Sequence, residues 1–582
     1  MININYSTHL NMKNKIRKIY ILFFALLVIL AACSKSFFDT PPLGTVGAEQ
    51  LYNKAGIDKL LIGAYSMLDE VGFGPYRGSD WQSNVSNWLH GDIQSDDAYK
   101  GASSGDQPDI NPFETYTVTP ENTMLPPKYV ALFDGVSRCN DALRAINAAT
   151  DLTESERAVF TAQARGLRGH YYLELKKVWN MIPYVDENAA ETRLPNDKDI
   201  WQNIEEDFKY ASDNLPETFP EVGRINKWAA KAYLAKTYMF QQKYSDAKPI
   251  LDDIIANGVT TGGLKYGLED CFRNAFDVEH KNGKESVFAV QMSVNDGSEE
   301  SNNGTWFWSL SHPGCCGFFR PSQNLVNAYK TDAAGLPMLY NFNAVDVNSD
   351  QGIPSTEPFT PYSGTLDPRL DWTVGRRGIP MLDFGVHPGQ DMNYNSSYGG
   401  PYNAIKYTPE KSQTEYINSN TWAPGVTAMN YTVIRFSDVL LWAAECEAEV
   451  GSVEKARDYV NQVRRRAKNG CYVLTDAGTP AANYFINEYT STWTDKDYAR
   501  KAVRFERRLE LATEGHRFFD LVRWGVADEV LNTYIEKEKL RQTYLVGAHF
   551  TKGKNEYLPI PQSEIVNSSI NGQPTLAQNP GY

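Results

Sequence analysis

Two stretches far apart in the chain each read as a pair of antiparallel helices, and this repetition restricts the fold more than any other feature. In the first, helices over 226–241 and 244–256 place Leu234-Ala235, Tyr238, Lys243-Tyr244 and Ala247 where two backbones must approach closely. In the second, Asp438 to Ala467 carries Leu440, Leu441, Ala443, Ala444 and Ala448, then Gly451, Ala456, Val460 and Val463. Further helices are expected around these pairs. Leu51, Ile57, Leu60, Leu61, Ala64 and Leu68 recur mostly at three- and four-residue steps between Gly47 and Glu70. Others cover Val130 to Ile146 and Asp197 to Asn214, and the helical frame resumes near Lys496 and ends about Leu540. Thr153-Glu154-Ser155-Glu156 is a capping box that opens a long helix to Trp179.

The paired pattern is that of a tetratricopeptide unit. The expected architecture is mainly α, with a tetratricopeptide-like helical-repeat frame at about 47–256 and 432–540. Between its halves lies a long, irregular, loop-rich insertion at about 257–431, heavy in Gly, Pro, Asn and Ser. Loops of this length inside a compact protein are usually functional, so the frame is a scaffold and the insertion presents the chemistry.

The N-terminus gives an address. Lys13, Lys15, Arg17 and Lys18 precede the apolar run Ile19 to Ala32, which is shorter than the roughly 20 residues a spanning helix needs. Leu30-Ala31-Ala32-Cys33 resembles a bacterial lipobox, so 1–32 is expected to be a lipoprotein signal peptide and Cys33 the lipidated first residue of a single domain, 33–582. Met12 stands where such a signal normally starts. Several acyl chains make a stable anchor, so the mature protein is expected on a membrane surface. Formal net charge is −14, and removing 1–32 leaves 53 basic against 71 acidic residues, or −18. Phosphate contacts need Lys/Arg patches, so the acidic balance argues against nucleic acid, and none is expected as a partner.

Several motifs tempt a catalytic reading. Gly101-Ala102-Ser103-Ser104-Gly105 matches G-x-S-x-G, but Ser95-Asp96-Asp97 before it and Asp106-Gln107-Pro108-Asp109 after it make a polar turn rather than a nucleophile elbow. Asp346, Asn348, Asp350 and Glu357 imitate a calcium loop, yet Gln351 replaces the turn Gly and Pro354 interrupts, so a solvated loop is expected. Glu514, His516, Arg517, Asp520 and Arg523 lie among apolar helical residues, where ion pairing on a packed helix explains them. No C-x-x-C pair or zinc spacing occurs, and Cys315-Cys316 are expected to be buried thiols rather than a vicinal disulfide. No metal, cofactor or catalytic residue is expected.

Aromatic residues make up 12% of the chain, with 12 Trp and 34 Tyr, and not all of them sit on frame helices. A sugar ring offers an apolar C–H face to an indole or phenol, while its hydroxyls need Asn, Asp, Gln or Arg nearby. Trp81 with Asn84, Trp88 near His90 and Asp92, and Trp306-Phe307-Trp308 combine these groups, and an extended 306–308 would put both indoles on one face. Tyr394, Tyr398 and Tyr402 lie among Asn and Gly and can add a wall. The expected ligand-binding residues are Trp81, Asn84, Trp88, Trp306, Trp308 and Tyr398.

Several blocks together resemble the SusD/RagB family of surface nutrient-binding lipoproteins. They include Ala162 to Tyr172 with Trp179-Asn180 and Pro183, and Gly223-Arg224-Ile225-Asn226 before Ala229-Ala230. Arg435 to Leu441 with Ala444-Glu445, Glu506 to Ala512, Glu514 to Leu521 and Arg523-Trp524-Gly525 follow. The tail Leu558 to Ile565 and Gln578-Asn579-Pro580-Gly581-Tyr582 completes the series in family order. The resemblance implies a lipid-anchored protein on the outer face of the outer membrane, a lid on a SusC-like TonB-dependent transporter that captures oligosaccharides and delivers them. A RagB-type peptide binder is the alternative, and a glycan-cleaving enzyme, which would need two facing carboxylates, is a more distant one.

Overall fold

The computed structural model of the chain describes residues 12, 15–21, 48–71, 81–296, 316–393, 395–418 and 426–582. Residues 1–52 and 53–582 form two units. In the first, residues 15–21 are helical and Ala48–Leu51 is a 3-10 turn. No helix among the described residues is long and apolar enough to cross a membrane. Cys33, Trp306 and Trp308 lie outside the described residues.

The second unit is a helical frame of α1 (Lys54–Tyr65), α2 (Leu125–Ala148), α3 (Glu154–Trp179), α4 (Trp201–Asn214), α5 (Lys227–Phe240) and α6 (Tyr244–Asn257). It resumes with α7 (Phe436–Val450), α8 (Val453–Asn469), α9 (Lys496–Leu511), α10 (Arg517–Arg523) and α11 (Ala527–Glu538). Local chemistry sets the starts. The Thr153–Glu156 capping box forms in full, Asn226 Oδ1 accepts from Ala229 N at 2.8 Å, and Asp495 caps α9. Small residues set the spacing: a Cβ added at Gly135 of α2 would stand 2.7 Å from the Tyr171 ring of α3.

Each helix packs on the next from α2 to α6, and α6 then packs on α7, so the frame is continuous in space across the insertion. One hydrophobic core joins the two halves, with Phe208, Tyr233, Trp179, Leu440, Trp442 and Leu509 all buried in it. The expected fold class is the observed one. Backbone geometry sets the breaks within the frame. The segment 496–540 is three helices, because Gly515 and Gly525 take left-handed φ of 71° and 69° and turn the chain. Gly515 also tolerates no side chain, since its Cβ would fall 1.9 Å from the Ser86 carbonyl oxygen.

The insertion is more ordered than its composition suggests. Its neck is closed by antiparallel pairing of β2 (Ser286–Val290) with β4 (Tyr431–Arg435), in register Ser286 to Arg435 and Val290 to Tyr431. β3 (Phe318–Pro321) pairs with β1 (Ala98–Gly101), which ties the insertion to the Gly-rich stretch between α1 and α2. Buried ion pairs dock it on α9 and the turn that follows: Arg369 reaches Glu506 and Glu510, while Arg435 at the neck reaches Glu510 and Glu514. Lys406 joins Glu514 at 2.7 Å. A disulfide between Cys271 and Cys471 adds a covalent tie to the segment after α8. Cys316 is also disulfide-bonded, which corrects the expectation of a thiol there, and Cys315 lies outside the described residues. Cys139 and Cys446 are buried thiols.

Candidate functional site

Trp81 and Trp88, which the sequence singled out, pack on the phenylalanines of β3. Trp81 meets the Phe318 ring at 4.4 Å and 68°, and it meets Trp88 at 6.4 Å. Trp88 opens a π-helical turn, Trp88–Ile93, and packs edge-on against Phe319 at 6.2 Å. Trp81, Asn84 and Trp88 are 9%, 8% and 1% exposed. Their sequence neighbours looked like loop, but the turn folds back onto the frame. Gly91 comes so close to Gly515 that a Cβ would stand 2.0 Å from its carbonyl oxygen. Asn84 Oδ1 accepts from Ser86 N at 2.8 Å, which shapes this turn.

Tyr398 is the half-exposed member of the expected set that the structure describes. Its ring stacks on Tyr544 at 4.5 Å and 24°, and its hydroxyl donates to Asn111 Oδ1 at 3.2 Å. Tyr544, also half-exposed, donates to Glu114 Oε1 at 2.8 Å. Lys100 joins this pair to the tryptophans: its Nζ lies 5.5 Å from the Tyr398 ring centre and 6.0 Å from that of Phe318. The same Nζ donates to the Ser103 and Asp106 carbonyl oxygens at 2.8 and 2.7 Å. Burial brings the Lys100 amine down to about 8. Burial likewise pushes the Glu114 carboxyl up to about 7, although Lys100 N and Tyr544 donate to it.

The product is a ladder of rings, Trp88, Trp81 and Phe318 at its buried end and Tyr398 and Tyr544 at its open end, with the Lys100 ammonium as the step between them. Tyr402, expected beside Tyr398, is in the core with its hydroxyl on Gln323 Oε1 at 2.8 Å. Tyr544, Lys100, Asn111 and Glu114 were not foreseen. Tyr544 follows the last frame helix in a polar segment, and only its contact with a residue of the insertion gives it a role.

The other motifs resolve as scaffold. Glu514 bonds Arg435 and Lys406, Asp520 bonds Arg507 and Arg523, and burial holds His516 well below the usual imidazole range. Most of these pairs join different elements, whereas spacing along one helix had been the expectation. Asp346 accepts from Asn327 and pairs with Arg541 and Lys537, which uses the oxygens a calcium ion would need. No group of acidic, His or Cys residues suited to a metal occurs among the described residues. Ser103 lies in a turn after β1, and the next helical residues begin only at Pro108, too far on for a nucleophile elbow.

Two family models match the chain: the SusD family over residues 284–582, and "Starch-binding associating with outer membrane" over 54–239. SusD-like protein P2 of Formosa agariphila is 24% identical, covering 97% of this chain and 100% of that one. A solved SusD superfamily protein of Bacteroides vulgatus superposes with a TM-score of 0.68 at 20% identity, over 91% of this chain and 100% of that one. Surface glycan-binding protein A of Bacteroides thetaiotaomicron, solved in complex with laminarihexaose, gives 0.61 at 21% identity, over 90% and 99%. Matched over more than half its length, and sharing its helical frame with solved members, the chain belongs to the SusD family.

Proposed function

We propose that the protein binds oligosaccharide at the cell surface, without cleaving it, and delivers it to a SusC-like TonB-dependent outer-membrane transporter. The observation that carries the reading is the half-exposed Tyr398–Tyr544 stack. Two parallel phenol rings offer an apolar platform to a sugar's C–H face, and Asn111 beside them supplies polar partners for hydroxyls. Trp306 and Trp308 are proposed to extend this surface from the insertion, and Trp81, Asn84 and Trp88 to support it from within. The relative solved with laminarihexaose lends support to a glycan as the ligand class. Hydroxyl desolvation offsets much of the stacking, so affinities should be modest.

Affinity electrophoresis through gels containing laminarin or other polysaccharides tests the reading. The wild type should be retarded by at least one glycan, and Tyr398→Ala with Tyr544→Ala, or Trp306→Ala with Trp308→Ala, should abolish the retardation. Unchanged mobility of a variant pair refutes its assignment. Release of oligosaccharide by the purified protein would overturn binding without cleavage. Lipid attachment at Cys33 is proposed to hold the protein at the membrane. Cys33→Ala should move it to the soluble fraction on cell fractionation, and retention with membranes would contradict the anchor.

A further inference from the structure

A cavity of about 440 Å³ lies among α9, α10, α11 and the segment around Leu339 and Phe342. It shares no residue with the ring ladder. Phe342, Phe505, Leu521 and Val530 give it an apolar lining, and α9 adds Arg500, Lys501, Arg504 and Arg508. Its size is that of ordinary small-molecule sites, about 300–1,000 Å³.

The charges around it are unevenly satisfied. Asp96 is taken by Arg508 at 3.0 Å and Arg517 at 2.8 Å. Glu445 is taken by Arg523 and the Trp524 indole N–H, and Glu449 by Arg500 and Lys496. Asp497 pairs with Arg500. Arg504 is left over. Its guanidinium lies 4.8 Å from the centre of the Trp524 ring, its Nε is buried without a hydrogen-bond partner, and it makes no ion pair among the described residues. Burial lowers its pKa from the ordinary value. Lys501, one turn earlier, lies over the Tyr340 ring at 4.1 Å and likewise pairs with no carboxylate among the described residues. The remaining acid of the lining, Glu529, is exposed. A cation desolvated beside an apolar cavity while neighbouring carboxylates serve other partners leaves a place for an external anion.

We propose that this cavity binds an organic carboxylate. The oxyanion sits on Arg504 with Lys501 beside it, and a ring-sized apolar body lies against Phe342, Phe505, Leu521 and Val530. Neutral sugars lack the charge this site asks for, so the ligand differs in class from that of the tyrosine surface.

Calorimetric titration of the full chain with 3-phenylpropanoate, and with its neutral amide, tests the assignment. The carboxylate should bind about tenfold or more tightly than the amide, as loss of a charge-assisted hydrogen bond predicts. Arg504→Gln should reduce carboxylate binding to the level of the amide, and Glu529→Gln should bind it at least as tightly as the wild type. Equal binding of the two probes, no binding of the carboxylate by the wild type, or undiminished binding by Arg504→Gln would overturn the proposal. The comparison of probes needs only the wild type and stands even if a variant misfolds. Retardation by glycan gels reports on the tyrosine surface separately.

Discussion

Glu114 links the exposed rings to the interior, because Tyr544 and the Lys100 backbone both donate to it. Its carboxyl titrates at about 7 in the fold, against 4.5 as the ordinary value. Between those two values the folded chain keeps a proton that the unfolded chain has released. Stability therefore falls as pH rises from about 4.5 to about 7, by roughly 3 kcal/mol from this group. Glu114→Gln should flatten that part of the profile and leave the protein more stable than wild type above pH 7. Urea denaturation at a series of pH values measures it, and an unchanged slope would refute it. Residue by residue, the site was only partly legible in the sequence. Trp81 and Trp88 stand among polar neighbours, and their burial depends on Phe318 and Phe319, more than two hundred residues away. Tyr544 gave no signal because its partner Tyr398 belongs to another part of the chain.

At the scale of elements, α9 does more than its periodicity revealed. Its apolar stripe was readable, but Glu506 and Glu510 face inward as well, each joined to arginines from other segments. Glu510 holds Arg369, Arg435 and Arg466, and these guanidiniums keep its carboxylate well below the usual range. Glu510→Gln should cost about 3–5 kcal/mol, since it leaves buried cations short of a counter-charge. Chemical denaturation with paired far-UV and near-UV probes would show it, and a loss below about 1 kcal/mol would refute the docking role. Helix pairs, caps and small-residue contacts were legible because they depend on near neighbours, as at Thr153–Glu156 and Asn226. The insertion's strands were not, since β1 and β3 lie more than two hundred residues apart and neither pattern names its partner.

In the molecule as a whole, the disulfide between Cys271 and Cys471 closes a loop with a sequence separation of 200. In the chain-entropy picture, closing so long a loop restricts the unfolded state by up to about 5 kcal/mol. Cys271→Ser should lower the unfolding temperature in scanning calorimetry, and reductant should shift the wild type in the same direction while leaving the variant little changed. An unmoved transition in both would refute the tie. The paired β2 and β4 bring the two ends of the insertion side by side, while α6 and α7 pack together without it. Topology alone would thus let this segment be exchanged wholesale while the frame is kept. Charge limits a free trade: a foreign segment lacking counterparts of Arg369 and Lys406 would leave Glu506 with Arg464, Glu510 with Arg435 and Arg466, and Glu514 with Arg435, each one buried cation short. Exchange of sequence is therefore easiest in the outer parts of the insertion, with its inner cations kept together with α9.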